Sequence, residues 1–305
     1  MKSELIASQV IVPMVSPFDD HCAVDKAAIG RLCERLVEAG VSVFALGTTG
    51  EGDSMSLDQC ETLLGCVVDE VNGRSAIYAG LTGNSLDESI KSGKRYADLG
   101  ADCLVAKLPA YYPMNDTQML LYLEKLADSV VLPLFIYNIP GTTHHSIPLD
   151  VVEKLSFHPN IFGLKDSERN LERLDESIRR WGDREDFDYL IGWAPMSFYG
   201  LQKGANGIVP STGNISPDLY VQMMDAVRTG DDLVARELQE KTDLISALYQ
   251  KDRTLSQAIP ALKVLMKSMG LCTGEVLLPM MTMSVQEEEE YLAVVKYELE
   301  KLMQP

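Results

Sequence analysis

Short, continuous apolar runs alternate along the chain with longer segments in which apolar residues recur at helical spacing. The runs are Val10 to Pro13, Val43 to Leu46, Ala76 to Gly80, Cys103 to Lys107, Leu134 to Tyr137, Phe162 to Lys165, Tyr189 to Gly192 and Gly207 to Val209. They lack strict in-out alternation, which is how parallel strands covered on both faces read. The segments between them, such as Lys26 to Glu38, Leu57 to Val71 and Leu86 to Leu99, are long enough for right-handed crossover helices. Eight such units predict a (β/α)8 TIM barrel. Pattern alone leaves an open, doubly wound sheet as the alternative. No GxGxxG opens a helix, which removes that fold's commonest cofactor signature.

After the eighth run the pattern is helical. Asp232 to Leu248, Ser256 to Met269 and Val285 to Leu302 each carry an apolar stripe. Ser256 is the expected N-cap of the second of these, with Pro260 one turn in and Gly270 ending it in the left-handed conformation. The acids from Glu287 to Glu290 suit a solvated face near a helix N-terminus. The predicted organisation is a barrel domain over 1–238 and a C-terminal helical extension over 239–305.

Composition narrows the function classes. A net charge of -18 argues against a broad nucleic-acid footprint. No apolar stretch approaches the roughly 20 residues that span a bilayer, so no membrane partner is expected. The N-terminus lacks a long apolar core before a small-residue cleavage site, so no secretory signal is expected. Six scattered Cys without a CxxC suit a reducing cytoplasm and read as small buried hydrophobes.

Catalytic groups of a barrel sit where its strands run out. Those positions carry Gly47-Thr48-Thr49-Gly50-Glu51, Tyr111-Tyr112, Tyr137-Asn138-Ile139-Pro140, Gly163-Leu164-Lys165-Asp166-Ser167, Gly192 and Gly207 to Val209. Lys165 is the outlier, because a lysine in a barrel wall is rarely buried unpaired. Either it snorkels or pairs with Asp166 or Glu168, or desolvation makes its amine a nucleophile for Schiff-base chemistry with a ketone. Strand alternation puts Gly163 and Lys165 on one face and Leu164 on the other, with Gly163 leaving interior room. Tyr137, at the end of the neighbouring strand, is the candidate proton shuttle, and the alternative is a core tyrosine. Thr48 and Tyr112 are the further hydroxyls at hand. The Thr48-Thr49-Gly50 turn would direct N–H groups at a carboxylate or serve only as a turn.

GTTGE at 47–51, the tyrosine pair at 111–112, YNIP at 137–140, GLKDS at 163–167 and Gly207 to Val209 occur in one order. That ordered set resembles the pyruvate-dependent class I aldolases, the family of dihydrodipicolinate synthase, N-acetylneuraminate lyase and the 2-keto-3-deoxy sugar acid aldolases. The likeness runs from Pro13 into the C-terminal helices. It implies a Schiff base at Lys165, a proton shuttle at Tyr137 and a relay through Thr48. It also implies a relay tyrosine at Tyr112 that reaches in from a neighbouring subunit. Thr48 and Thr49 would hold the pyruvate carboxylate, and Gly192 and Val209 would line the bound substrate. The implied enzyme is a homotetramer, a dimer of dimers, that acts on a 2-keto acid without metal or organic cofactor.

Three positions depart from the synthases of that family. Thr142 stands where they carry an arginine that secures the second substrate. Trp193 and Ala194 follow Gly192 where acidic and small polar residues are usual, and Gly52 to Met55 differ after Glu51. Thr142, Thr143 and Ser167 offer hydroxyls suited to a polyol, while Trp193 either narrows the pocket or packs under a rim loop. The expectation is therefore a site pattern closer to the sugar acid aldolases, with retro-aldol release of pyruvate and an aldehyde. Condensation of pyruvate with aspartate semialdehyde, dehydration of a keto-deoxy sugar acid and a non-catalytic metabolite-binding role are the alternatives. The adjacent His144 and His145 lack an acidic partner at ligand spacing, so no metal site is expected.

Overall fold

The computed structural model describes residues 10–303. Eight parallel strands follow one another in chain order around the sheet. They are β1 (Ile11–Pro13), β2 (Ser42–Ala45), β3 (Ile77–Leu81), β4 (Cys103–Lys107), β5 (Leu134–Asn138), β6 (Ile161–Asp166), β7 (Asp188–Ile191) and β8 (Gly207–Ile208). A parallel bridge from Val10 to Ile208 joins the last strand to the first and closes the barrel. The helices between them are α1 (Lys26–Glu38), α2 (Leu57–Val71), α3 (Leu86–Leu99), α4 (Asp116–Ser129), α5 (Pro140–Thr143), α6 (Leu149–Leu155), α7 (Leu171–Trp181) and α8 (Ser197–Lys203). After β8 come α9 (Pro217–Thr229), α10 (Asp232–Gln250), α11 (Leu255–Ser268) and α12 (Val285–Leu302). This is the predicted (β/α)8 barrel with a helical C-terminal extension, and position 238 falls inside α10.

Helix starts follow local chemistry. The side chains of Asp25, Ser85 and Asn170 accept hydrogen bonds from the first turns of α1, α3 and α7. Ser56 with Gln59, Asn115 with Gln118 and Ser284 with Glu287 form capping boxes. The cap of α11 is Thr254, boxed with Gln257, rather than Ser256 as expected. Thr254 wins because the Gln257 side chain turns back to accept from its N–H and from its hydroxyl, each at 3.0 Å. Gly270 follows that helix with φ +75°, as its left-handed role requires.

The two-residue period of the strands sorts their side chains into two cores. Val12, Val43, Ala79, Leu104, Ile136, Leu164 and Ile191 point outward and join the layer under the helices. Phe44, Tyr78, Val105, Phe135, Tyr137, Leu190 and Val209 fill the barrel interior. Gly163 faces inward with Lys165, but the space beside it is taken. A Cβ there would lie 2.6 Å from both the Phe135 ring and the Asp188 carbonyl oxygen. The expected interior room is thus a close-packed contact. Gly163→Ala is expected to lose about 1–3 kcal/mol of stability through overpacking, read by thermal or denaturant unfolding.

Four of the six cysteines are buried, whereas Cys22 is exposed and Cys66 half-buried. Burial raises the Cys33 thiol to about 12 and the Cys60 thiol to about 11, far from a reactive thiolate. No helix among the described residues is long and apolar enough to cross a membrane.

Candidate active site

Lys165 is the second-last residue of β6, in register with Tyr137 of β5 and Leu190 of β7. It is 5% exposed. Its Nζ lies 4.0 Å from the centroid of the Tyr137 ring and 4.6 Å from that of Phe44. The carboxylates beside it in sequence point elsewhere. Asp166 accepts from Arg173 Nε at 2.6 Å and from Asn138 Nδ2 at 2.8 Å. Glu168 accepts from Ser146 at 2.6 Å and Asn138 at 3.0 Å, and lies 3.5 Å from Arg173 Nε. Alternation explains this: Asp166 is on the outward face of the strand that presents Lys165 inward. Of the buried lysines among the described residues, Lys263 pairs with Glu51 and Lys165 with no carboxylate.

Burial therefore decides the state of this amine. Desolvation holds the Lys165 ammonium below its ordinary value, with Tyr137 opposing the shift. For Tyr137 burial acts upward, but the Lys165 charge and hydrogen bonding from Ser167, Thr48 and Lys165 outweigh it, and the phenol ends below its ordinary value. Both groups are thus more acidic than usual, as a nucleophilic amine beside a proton-exchanging phenol requires.

The other hydroxyls arrive from separate strand ends. Ser167 Oγ is 3.5 Å from the Tyr137 hydroxyl. It fits there because Gly192 is opposite: a Cβ on Gly192 would lie 2.1 Å from Ser167 Oγ. Thr48 and Thr49 sit on a turn with left-handed backbone at Leu46 (φ 59°) and Glu51 (φ 57°). Glu51 donates from its N–H to the Thr48 carbonyl at 3.2 Å, and Gly52 to that of Gly47 at 3.2 Å. Glycine is required at 52, where a Cβ would lie 2.2 Å from the Leu46 carbonyl oxygen.

That turn is pinned from the far end of the chain, a feature the sequence reading missed. The buried Glu51 carboxylate accepts from Lys263 of α11 and, at 2.8 Å, from the Leu277 N–H. Lys263 donates also to the Glu275 carbonyl at 2.7 Å and lies over the Phe18 ring. Burial pushes the carboxyl up and the ammonium down, and each charge opposes the shift of the other. The signal in the sequence is a lone lysine within the apolar run Ala261-Leu262-Lys263-Val264-Leu265.

A pocket of about 370 Å³ gathers the predicted residues Thr48, Thr49, Tyr137, Thr142, Lys165, Ser167, Gly192, Trp193 and Val209. Tyr112 is not among its walls. It is 74% exposed and packs edge-on against Tyr111. His145 Nε2 lies 3.0 Å from the Tyr112 carbonyl oxygen, and the described residues contain no group of three or more His, Cys, Asp or Glu able to hold a metal ion. Trp193 lines the pocket and packs against the core under the helices. Arg169, which the sequence reading passed over, lines the same pocket.

Tyr137→Phe should keep the fold and lower turnover about 10²-fold, because only the hydroxyl expected to shuttle protons is removed. The phenol also holds the Lys165 value up. Its loss should move the acid limb of imine formation to lower pH, since the free amine then persists further down. The rate of borohydride trapping against pH measures both, and an acid limb that stays in place or rises would assign the coupling elsewhere.

The chain matches the model described as the Dihydrodipicolinate synthetase family over residues 7–298. The 4-hydroxy-tetrahydrodipicolinate synthase of Corynebacterium aurimucosum is 32% identical over 294 residues, 96% of this chain and 94% of that one. The solved dihydrodipicolinate synthase from Bacteroides thetaiotaomicron superposes with a TM-score of 0.90 at 28% identity, covering 97% of this chain and 100% of that one. YagE from E. coli K12, a prophage protein of the dihydrodipicolinic acid synthase family solved in complex with pyruvate, gives 0.87 at 26% identity, over 96% and 98%. The curated relatives compared, 28% to 32% identical, carry the synthase name. This corrects the expectation of a pattern closer to the sugar acid aldolases. Thr142 and Trp193 are single positions at a pocket rim, where a recognition charge can be supplied from another loop in space.

Proposed function

The chain belongs to the dihydrodipicolinate synthetase family and is a pyruvate-dependent, Schiff-base-forming lyase; from that premise we propose that it condenses pyruvate with aspartate semialdehyde, with Lys165 as the imine-forming residue. The observation that carries the role of Lys165 is its buried amine, without a carboxylate partner among the described residues and beside Tyr137 at a pocket lined by hydroxyls.

The free amine attacks C2 of pyruvate, and the carbinolamine loses water as Tyr137 delivers a proton to the departing hydroxyl. The protonated imine draws electrons from C3. The Tyr137 phenolate takes a C3 proton and leaves an enamine. The enamine carbon attacks the aldehyde, whose oxygen takes up the proton returned through Tyr137. The amino group carried in on aspartate semialdehyde then attacks the imine carbon, closing the ring as the bond to Lys165 breaks and the amine is freed. Thr48 and Ser167 hold the phenol in line, and Thr48 and Thr49 receive the pyruvate carboxylate. Gly192 and Val209 let backbone approach the substrate. Tyr112, exposed on the single chain, is read as the hydroxyl that a neighbouring subunit of a homotetramer lends to this relay.

The synthase assignment rests on the names of the relatives. Its test is kcat/KM for condensation of pyruvate with aspartate semialdehyde, with the product identified by mass spectrometry. Rapid, saturable formation of the cyclised product supports it. Imine formation without condensation would reject the synthase reading and keep the lyase chemistry.

A further inference from the structure

Besides Lys165, Arg169 is the only lysine or arginine lining the catalytic pocket among the described residues. It lies on the segment between β6 and the Asn170 cap of α7, four residues past the amine. Its guanidinium makes no ion pair or side-chain hydrogen bond among the described residues. The one acid of the pocket wall, Glu168, is its neighbour but is already held by Ser146, Asn138 and Arg173. Arg169 is thus a spare cation at the mouth of a pocket in a chain whose net charge is -18.

The pocket does not end at Arg169. An adjoining cavity of about 450 Å³ shares Thr49, Arg169, Trp193, Ser211 and Gln250 with it and runs on toward α10 and α11. The second arginine of that cavity, Arg253, is occupied: it stacks at 4.9 Å on Tyr291 and reaches the Leu248 carbonyl. A substrate joined to Lys165 at one end therefore meets an unpaired guanidinium where the two spaces join. Thr142, in the same pocket wall, offers only a hydroxyl, itself 3.3 Å from the Ile139 carbonyl oxygen.

We propose that Arg169 binds the distal carboxylate of the incoming aldehyde and so makes the enzyme selective for carboxylate-bearing aldehydes over neutral ones. This rests on the condensation reading and adds to it the residue that recognises the second substrate. A guanidinium fork matches a carboxylate in two parallel hydrogen bonds, which an ammonium cannot reproduce.

The test separates this proposal from the reaction itself. Lys165→Ala enzyme, which cannot form an imine with the probe, is titrated by calorimetry with succinic semialdehyde and with butanal. These differ in the distal carboxylate. Succinic semialdehyde is expected to bind at least ~10-fold more tightly, as loss of one charge-assisted hydrogen bond implies. That preference should vanish in Lys165→Ala/Arg169→Ala and return in part in Lys165→Ala/Arg169→Lys, which also controls for misfolding. Equal binding of the two probes, or a preference that survives Arg169→Ala, overturns the assignment. Condensation with aspartate semialdehyde is read separately on the unsubstituted enzyme. Its absence would reject the synthase reading while the titration still decides the role of Arg169.

Discussion

Lys165→Met should abolish pyruvate-dependent turnover, by on the order of 10⁴-fold or more, while leaving the protein folded. On the proposed mechanism the rate falls because the covalent step is lost with the amine. Lys107, at the end of β4, is paired with Asp53 at 2.8 Å, and Lys263 is tied to Glu51. The fold persists because no carboxylate among the described residues pairs with Lys165. A buried, unpaired amine gives way to an apolar side chain of similar length, which the surrounding Phe44 and Tyr137 rings accommodate. Stability equal to or above that of the parent is expected in denaturant unfolding. Substantial residual turnover would place the covalent step on another residue.

The opposite substitution has the opposite signature. Lys263→Met should destabilise the protein by about 3–5 kcal/mol, because it strands the Glu51 carboxylate without a counter-charge in the interior. Burial already raises the Glu51 value above its ordinary one, so the folded state of this variant binds a proton more readily than the unfolded chain. The penalty should be full above the folded value and shrink as pH falls from it toward the unfolded one. Glu51→Gln in the same chain should recover much of the loss, since an amide oxygen still accepts from the Leu277 N–H. Denaturant unfolding of the two single variants and the double variant forms the cycle. Activity provides a second readout. The pair anchors the Thr48–Thr49 turn to α11, so its loss should also raise the KM for pyruvate. Additive losses in the double variant would show that Glu51 and Lys263 do not act as a pair.

These contrasting lysines show what a sequence carries and what it does not. Both lie in apolar runs, and strand period with family likeness identifies Lys165. The partner of Lys263 is 212 residues away in the chain and meets it only when α11 packs against the barrel. Helices with a local stop and start, such as α1, α2, α3 and α12, are legible to the residue. Their caps lie within three residues of the first turn. Strand ends are legible to within about one residue, because they are set by register with neighbours rather than by local chemistry.

The same reasoning separates the site residues. Thr48, Thr49, Tyr137, Lys165, Ser167, Gly192 and Val209 were findable because barrel topology sends every strand end to one face. The contact of Gly163 with Phe135 was not, since it depends on which ring the next strand turns inward. Arg169 was missed because it lies on an exposed segment with no pattern of its own. Its significance comes only from the pocket it borders. Tyr112 is singled out by motif alone, and the chain leaves its ring exposed.

The central claim is that Lys165 carries the covalent chemistry. The most direct measurement is borohydride reduction of the enzyme in the presence of pyruvate, followed by peptide mass mapping. The account predicts one modified peptide, containing Lys165 and heavier by the mass of pyruvic acid less one oxygen, with no adduct in Lys165→Met. An adduct on Lys107 or Lys263, or no adduct on an enzyme that turns pyruvate over, would contradict it.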